Sequence, residues 1–344
     1  MGAVVENYRT LQASAQPARC AAIVKADCYG LGAAEIAPAL QRDGCRDFFV
    51  TTLAEARRLR ALLGSAAAIY VLNGLPAGAE VSAAALGLIP VLNTLEQCRR
   101  WSRLGAAPAA LQVDTGTSRL GLRLAEAEDL ACDVRLRDRL DLVLVMSHLA
   151  HVDAAQPPTA AQLAAIARVR ALFPGVPTSL ANPAGGGPDA MLPGDMARPG
   201  AALYGLKTGP QVPLLCPVVS LKARILQLRT IAKGLGAGYG LNAPALEPMR
   251  VATLGVGYAD GWRRSLAASG AAWLDGCRLP TVGPISMDSF MVDVTNVDSA
   301  DIAPGDVVEL IGDHQSVDDV ARQAGTIGHE ILTGLGARFG RFYL

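Results

Sequence analysis

The sequence predicts an α/β chain, with an N-terminal (β/α)8 TIM-like barrel over residues 1–212 and a C-terminal mostly β domain over residues 213–344. Three observations predict this. Between residue 20 and about residue 205, eight short apolar runs alternate with helical, charge-faced stretches. The alternation stops at Gly209-Pro210-Gln211-Val212-Pro213. Beyond it the runs are β-type and are broken by Gly, Pro and Asp turns.

Taken in order, Gly2 to Arg9 reads as a first helix. The barrel runs are Ala21–Val24, Phe48–Thr52, Ala68–Leu72, Leu88–Leu92, Ala110–Val113, Leu142–Met146, Ser179–Ala181 and Ala201–Tyr204. Stretches such as Leu53–Arg60 and Gln162–Leu172 lie between them, with apolar residues at three- and four-residue intervals. A doubly wound open sheet shows similar alternation and stays the alternative on periodicity alone. A barrel places its chemistry on the loops that follow the strands. In the second domain the runs are Ser220–Ile225, Val251–Gly255, Pro280–Val282, Met291–Val294 and Val307–Ile311. A helical close, Ser316–Leu335, begins with the capping sequence Ser-Val-Asp-Asp.

Composition narrows the classes. Thirty-one basic residues balance 31 acidic ones, which leaves no electrostatic footprint for nucleic acid or an anionic membrane. No apolar run is long enough to span a bilayer and the first residues are not a secretory signal, so a cytoplasmic protein is expected. Seven cysteines without a C-x-x-C pair argue against a disulfide framework and a zinc knuckle. His151 and Asp153 could mimic part of a metal site, but with four histidines and no recurring ligand spacing no metal is expected.

The chain is organised around Cys20–Ala33, C-A-A-I-V-K-A-D-C-Y-G-L-G-A. Lys25 ends a short buried strand, where burial disfavours the ammonium form and frees the amine as a nucleophile. Tyr29 sets a phenol four residues away, and Gly32 lets the backbone approach a ligand. By itself a strand-end lysine also suits snorkelling to solvent. The whole stretch resembles the pyridoxal phosphate signature of the alanine racemase family, in which the lysine carries the cofactor. Members of that family have a strand before the first helix; this sequence starts without it, as a shortened chain or a late start codon would give.

Later motifs follow in the family's order. Asp114–Gly121, D-T-G-T-S-R-L-G, holds an arginine in a Gly/Ser/Thr loop, suited to forked recognition of a carboxylate or to a plain surface turn. It resembles the family's D-T-G-M-G-R-L-G, which implies that Arg119 contacts the cofactor's phenolic oxygen and the substrate carboxylate. Where many members carry a carbamylated lysine that fixes this arginine, Gln112 stands, a neutral acceptor. Ser147-His148-Leu149-Ala150 resembles S-H-F-A, implying that His148 hydrogen-bonds the catalytic tyrosine. Arg198-Pro199-Gly200-Ala201-Ala202-Leu203-Tyr204-Gly205 resembles R-P-G-I-A-L-Y-G. There the arginine faces the pyridine nitrogen and keeps it unprotonated, a weaker electron sink that favours proton exchange over transamination. The amides of Gly200 and Ala201 would cradle the phosphate.

In the second domain, Gly238-Tyr239-Gly240 is a turn by itself but resembles V-S-Y-G, which implies that Tyr239 is the second base. Racemisation needs two bases on opposite faces of a planar carbanion, here Lys25 and Tyr239, with a His148–Arg198 relay lowering the proton affinity of the phenol. Gly257–Gly261 and Gly283–Asp288 resemble G-Y-A-D-G and G-R-I-S-M-D, placing Tyr258 and Met287 near the substrate carboxylate. Asp153, Arg264 and Ile327 match positions lining the entry corridor. Two departures concern the phosphate. Asn182-Pro183 replaces Asn-Ser and offers no hydroxyl, and His329 stands where a tyrosine donates. Weaker cofactor retention is expected, and Pro183→Ser should restore it.

The resemblance implies a homodimeric racemase using pyridoxal 5'-phosphate to interconvert L- and D-alanine, for peptidoglycan or for alanine breakdown. The rivals are a serine or broad-specificity racemase of the same fold, decided by the pocket around Tyr258 and Met287, and a non-catalytic pyridoxal phosphate-binding protein, which would lack the β domain. A decarboxylase of the same fold is opposed by Arg198.

Overall fold

The computed structural model describes residues 1–150, 160–179, 194–207, 214–241 and 244–344. Two compact units divide at Cys216/Pro217, with Leu344 grouped with the first.

The first unit is built on parallel strands: β1 (Arg19–Cys20), β2 (Ala22–Ile23), β3 (Asp47–Val50), β4 (Ala68–Val71), β5 (Leu88–Leu92), β6 (Pro108–Gln112), β7 (Asp141–Met146), β8 (Thr178–Ser179) and β9 (Met196–Ala197). Strands β2 to β8 form one sheet in sequence order, and β1 pairs with β9. β1 and β2 are one strand interrupted at Ala21, whose N–H donates to Ala197 O at 2.9 Å while Ile23 N–H donates to Pro199 O at 3.3 Å. On its other edge β2 pairs with β3. The N–H of Asp195 donates to Thr178 O at 2.7 Å and joins β8 to β9, so the strands close into the expected eight-stranded cylinder. Such strands are covered on both faces, which is why they read as unbroken apolar runs: all four residues of β3 are buried.

One strand was misplaced. The run Ala201–Tyr204 is a buried 3₁₀ turn, and the eighth strand is Met196–Ala197 just before it. The turn is apolar because it packs inside: Tyr204 Oη donates to Ile23 O at 2.9 Å. The segment after Lys25 also departs from a simple loop. Ala26, Asp27, Cys28 and Tyr29 all have φ between 51° and 57°, a turn of left-handed helix built from L-residues other than glycine. That hand costs roughly 1–2 kcal/mol per residue.

The second unit is a closed antiparallel barrel of β10 (Leu221–Ile231), β11 (Met249–Leu254), β12 (Ala271–Leu274), β13 (Cys277–Val282), β14 (Phe290–Asp293) and β15 (Val307–Ile311), in the order β10-β11-β14-β13-β12-β15. Register shifts at both ends of β10's inward-facing stretch let that one long strand pair with both β11 and β15, which closes the barrel. Its first residues alternate between buried and exposed, with Leu221, Ala223 and Ile225 inside. The helical close is two helices, Val317–Ala324 and Gly328–Gly334, parted by Gly325 in the left-handed conformation.

Candidate active site

In the first unit the predicted residues among those described lie on segments that follow the carboxyl ends of strands. Lys25 follows β2, Arg119 lies in the loop after β6, His148 follows β7, and Arg198, Gly200 and Ala201 follow β9. Asn182, Pro183 and Asp153 lie outside the described residues.

Lys25 is half-buried, and its amine lies below the ordinary lysine range. Burial is the main cause, the positive charge of Arg119 the second, and Glu55 opposes both. Glu55 is a site residue that no motif announced. It caps the helix Leu53–Leu63, and its other oxygen accepts the N–H of Ala26 at 2.7 Å. Thr52-x-x-Glu55 is legible as a capping box, but its reach to Ala26 is not.

Arg198 is buried and makes every described hydrogen bond to a neutral acceptor. Nη1 donates to Ser179 O at 2.6 Å and to the hydroxyl of Ser179, and Nη2 donates to Ser147 O at 2.7 Å. The guanidinium carbon stands 5.9 Å from the centre of the Phe49 ring. Burial lowers its pKa to about 10, so it remains a cation at neutral pH. Arg198 bonds the residue before His148, and its charge acts on the imidazole. His148 is pushed down to about 4, by burial first and then by Arg198, Arg119 and Lys25.

Tyr29 is buried, and burial pushes its phenol up to about 12. Its ring lies 4.6 Å from that of Tyr204, centre to centre. Gly200 is required by this packing, since a Cβ there would collide with the Tyr29 hydroxyl. Ala201 is the first residue of the 3₁₀ turn.

Gln162, another buried polar residue missed in the sequence, ties two loops together. Its amide donates to Thr115 Oγ1 at 3.2 Å and to His148 O at 3.1 Å, and it accepts from Ala150 N–H at 3.3 Å. The Thr115 and Ser147 hydroxyls meet at 2.7 Å beneath it. Gln112 is buried, and Gly121 is needed beside it, where a Cβ would lie 2.8 Å from Gln112 Cγ.

The second unit brings three predicted residues to one end. Tyr258 N–H donates to Ser286 O and Ala259 N–H to Met287 O, both at 3.0 Å, so the Tyr258 turn and the Met287 loop are one construction. Gly257 permits it, because a Cβ there would strike the Met287 carbonyl. Gly238, with φ of 69°, packs its backbone on Pro284 of that loop and presents the exposed Tyr239. Asp260 anchors the turn from below: Oδ2 accepts Gly257 N–H at 2.8 Å, and Oδ1 meets Arg338 Nε at 3.1 Å. Arg264 opens a short 3₁₀ turn; Ile327 is the N-cap of the last helix, on which the exposed His329 lies. An ion pair between Arg263 and Glu330 joins the two segments.

A parallel eight-stranded cylinder whose first strand ends in a half-buried amine among arginines, followed in the chain by an antiparallel barrel carrying exposed tyrosines, defines a lysine-bearing two-domain α/β enzyme scaffold. Residues 1–208 match the model of the alanine racemase N-terminal domain and residues 218–343 that of the C-terminal domain, so the chain belongs to the alanine racemase family. It is 48% identical over 351 residues to the catabolic alanine racemase of Mesorhizobium japonicum, covering 100% of this chain and 92% of that one. The alanine racemase of Brucella canis is 44% identical over 366 residues, with the same coverage. The crystal structure of alanine racemase from Bartonella henselae with covalently bound pyridoxal phosphate superposes with a TM-score of 0.94 at 43% identity, over 100% of this chain and 97% of that one. That of the biosynthetic alanine racemase from Pseudomonas aeruginosa superposes with a TM-score of 0.91 at 33% identity, with the same coverage.

Proposed function

We propose that this chain interconverts L- and D-alanine as a pyridoxal 5'-phosphate-dependent racemase. The observation that carries the reading is its full-length identity to named alanine racemases, with Lys25 at the end of the first barrel strand.

The residues fit the cofactor. Lys25 offers an amine whose protonated form is disfavoured, and Arg198 is a buried cation that no described carboxylate neutralises. Lys25, Arg119 and Arg198 gather positive charge about His148, as a phosphorylated ligand and an amino-acid carboxylate require. When bound, the cofactor supplies the electron sink that acidifies the Cα proton of the attached amino acid.

The chain's own residues do the rest. Lys25 Nζ holds or returns the proton on one face of Cα, and Tyr239 Oη does so on the other. Arg119 orients the carboxylate with Tyr258 and Met287. Arg198, unable to accept a proton, would leave the pyridine nitrogen of a bound cofactor unprotonated. Gly200, Ala201, Asn182 and His329 would hold the phosphate, with Tyr29 as a further cofactor-binding residue, and Asp153, Arg264 and Ile327 are the proposed lining of the approach. Residues 1–212 form the cofactor domain, and residues 213–344 contribute the second base.

The reading is of a cytoplasmic homodimer in which Tyr239 of one copy serves Lys25 of the other. Among the described residues, no helix is long and apolar enough to cross a membrane. Supply of D-alanine to peptidoglycan is the cellular role proposed. The name of the Mesorhizobium japonicum relative favours a second, alanine breakdown, which a deletion strain growing without added D-alanine would support.

Cα proton exchange in deuterated water tests the chemistry. Both enantiomers of alanine should exchange; Lys25→Ala should abolish exchange, and Tyr239→Phe should abolish it for one hand. No exchange of either enantiomer by the loaded parent chain would overturn the reading.

A further inference from the structure

Glu55 is spent only in part on capping its helix. Oε2 accepts the N–H groups of Thr51 and Thr52 at 2.8 and 2.9 Å, and Thr52 Oγ1 accepts Glu55 N–H at 3.2 Å, which completes the capping box. Oε1 is left over. It accepts the N–H of Ala26 at 2.7 Å, across 29 positions of chain, and Ala26 is the residue bonded to Lys25.

Ala26 opens the left-handed turn, and at the start of any helical turn the first N–H groups lack acceptors within the turn. The far side of the turn is also pinned, by Asp27 Oδ1 accepting Ala33 N–H at 2.8 Å. A backbone hand that costs energy at each residue persists only where its surroundings over-determine it. The Glu55 carboxylate is the restraint on the Lys25 side.

We propose that Glu55 is a positioning residue for Lys25: its carboxylate fixes the backbone from which the amine projects, and supplies a negative charge beside it. This rests on the reading of Lys25 as the reactive amine. The charged and titratable groups that act with Lys25 are Arg119 from the loop after β6, His148 from the segment after β7, and Glu55 from the helix after β3; Arg119 favours the neutral amine and Glu55 the ammonium.

The test compares Glu55→Gln, Glu55→Asp and Thr52→Ala with the parent. The pH profile of kcat/KM is measured on the loaded enzyme in both directions. On the cofactor-free chain, the pH dependence of Lys25 acetylation by acetic anhydride is read by peptide mass spectrometry. Glu55→Gln should move the acetylation midpoint to lower pH by about half a unit and reduce kcat about tenfold. Thr52→Ala weakens the same cap without touching Ala26, so it should leave the midpoint in place and kcat within about twofold. Glu55→Asp keeps the charge but not the reach; it should lose kcat while keeping the midpoint within about a quarter unit.

Identical profiles for Glu55→Gln and Thr52→Ala would overturn the proposal and leave Glu55 a helix cap. If Glu55→Gln does not fold, Glu55→Asp decides: unchanged kcat overturns the proposal. Acetylation needs no racemisation, so the Lys25–Glu55 coupling is tested even if the parent exchanges neither enantiomer of alanine.

Discussion

The hydroxyl of Tyr29 occupies the space that a side chain at position 200 would need. The buried phenol packs at a tilt against Tyr204, and Tyr204 in turn holds the carbonyl of Ile23, two residues before Lys25. A glycine, two tyrosines and the lysine strand thus pack as one block.

Gly200→Ala should therefore displace Tyr29. Overpacking of this kind costs about 1–3 kcal/mol, and the loss should appear in urea denaturation. Cofactor dissociation, followed by absorbance, should quicken at least about tenfold if the phosphate sits on the same backbone.

Arg198→Lys keeps the charge but cannot reproduce the fork that joins Ser179 to Ser147. The buried Ser147 carbonyl loses its described donor and the Ser179 carbonyl keeps the Ser147 N–H, at about 1–3 kcal/mol for each bond lost. Chemical denaturation should show a loss of about 2–4 kcal/mol in the cofactor-free chain, larger than the change in a surface Arg→Lys control such as Arg57→Lys.

His148 makes stability depend on acid. Its folded imidazole resists protonation down to about 4, whereas the unfolded one takes a proton near 6.5. Between those values the unfolded state binds more protons, so stability is full above about pH 6.5 and falls as pH drops towards 4. The loss is on the order of 3 kcal/mol. Subtracting the urea stability of His148→Gln from that of the parent across this window should reveal that slope.

Asp260→Asn should loosen the turn that carries Tyr258. The carboxylate both accepts Gly257 N–H and pairs with Arg338, so its neutralisation should cost about 1–3 kcal/mol. The substrate KM should rise more than kcat falls, because Tyr258 and Met287 share that scaffold.

The barrel was legible wherever a strand is covered on both faces, as in Phe48-Phe49-Val50, because burial alone writes an apolar run. The same logic misread Ala201–Tyr204, equally buried but coiled as a 3₁₀ turn, while the true strand is two residues long and ends at a charged arginine. Lys25, Arg119, His148 and Arg198 were legible through motifs that resemble a known family. Glu55 and Gln162 were not: each works through hydrogen bonds to chain far away, and neither helix periodicity nor capping sequence records the destination. Nothing in Ala-Asp-Cys-Tyr announces positive φ, since each residue there opposes its own local preference.

That turn inverts the ordinary hierarchy of substitutions. In a right-handed helix alanine is preferred over glycine by about 1 kcal/mol. At Ala26 the peptide follows the mirror-image path, so an achiral residue relieves a steric penalty larger than the entropy it adds to the unfolded chain. Ala26→Gly should stabilise the fold by about 0.5–1 kcal/mol. An enzyme built to erase the handedness of its substrate would then owe the setting of its lysine to four residues held against their own handedness.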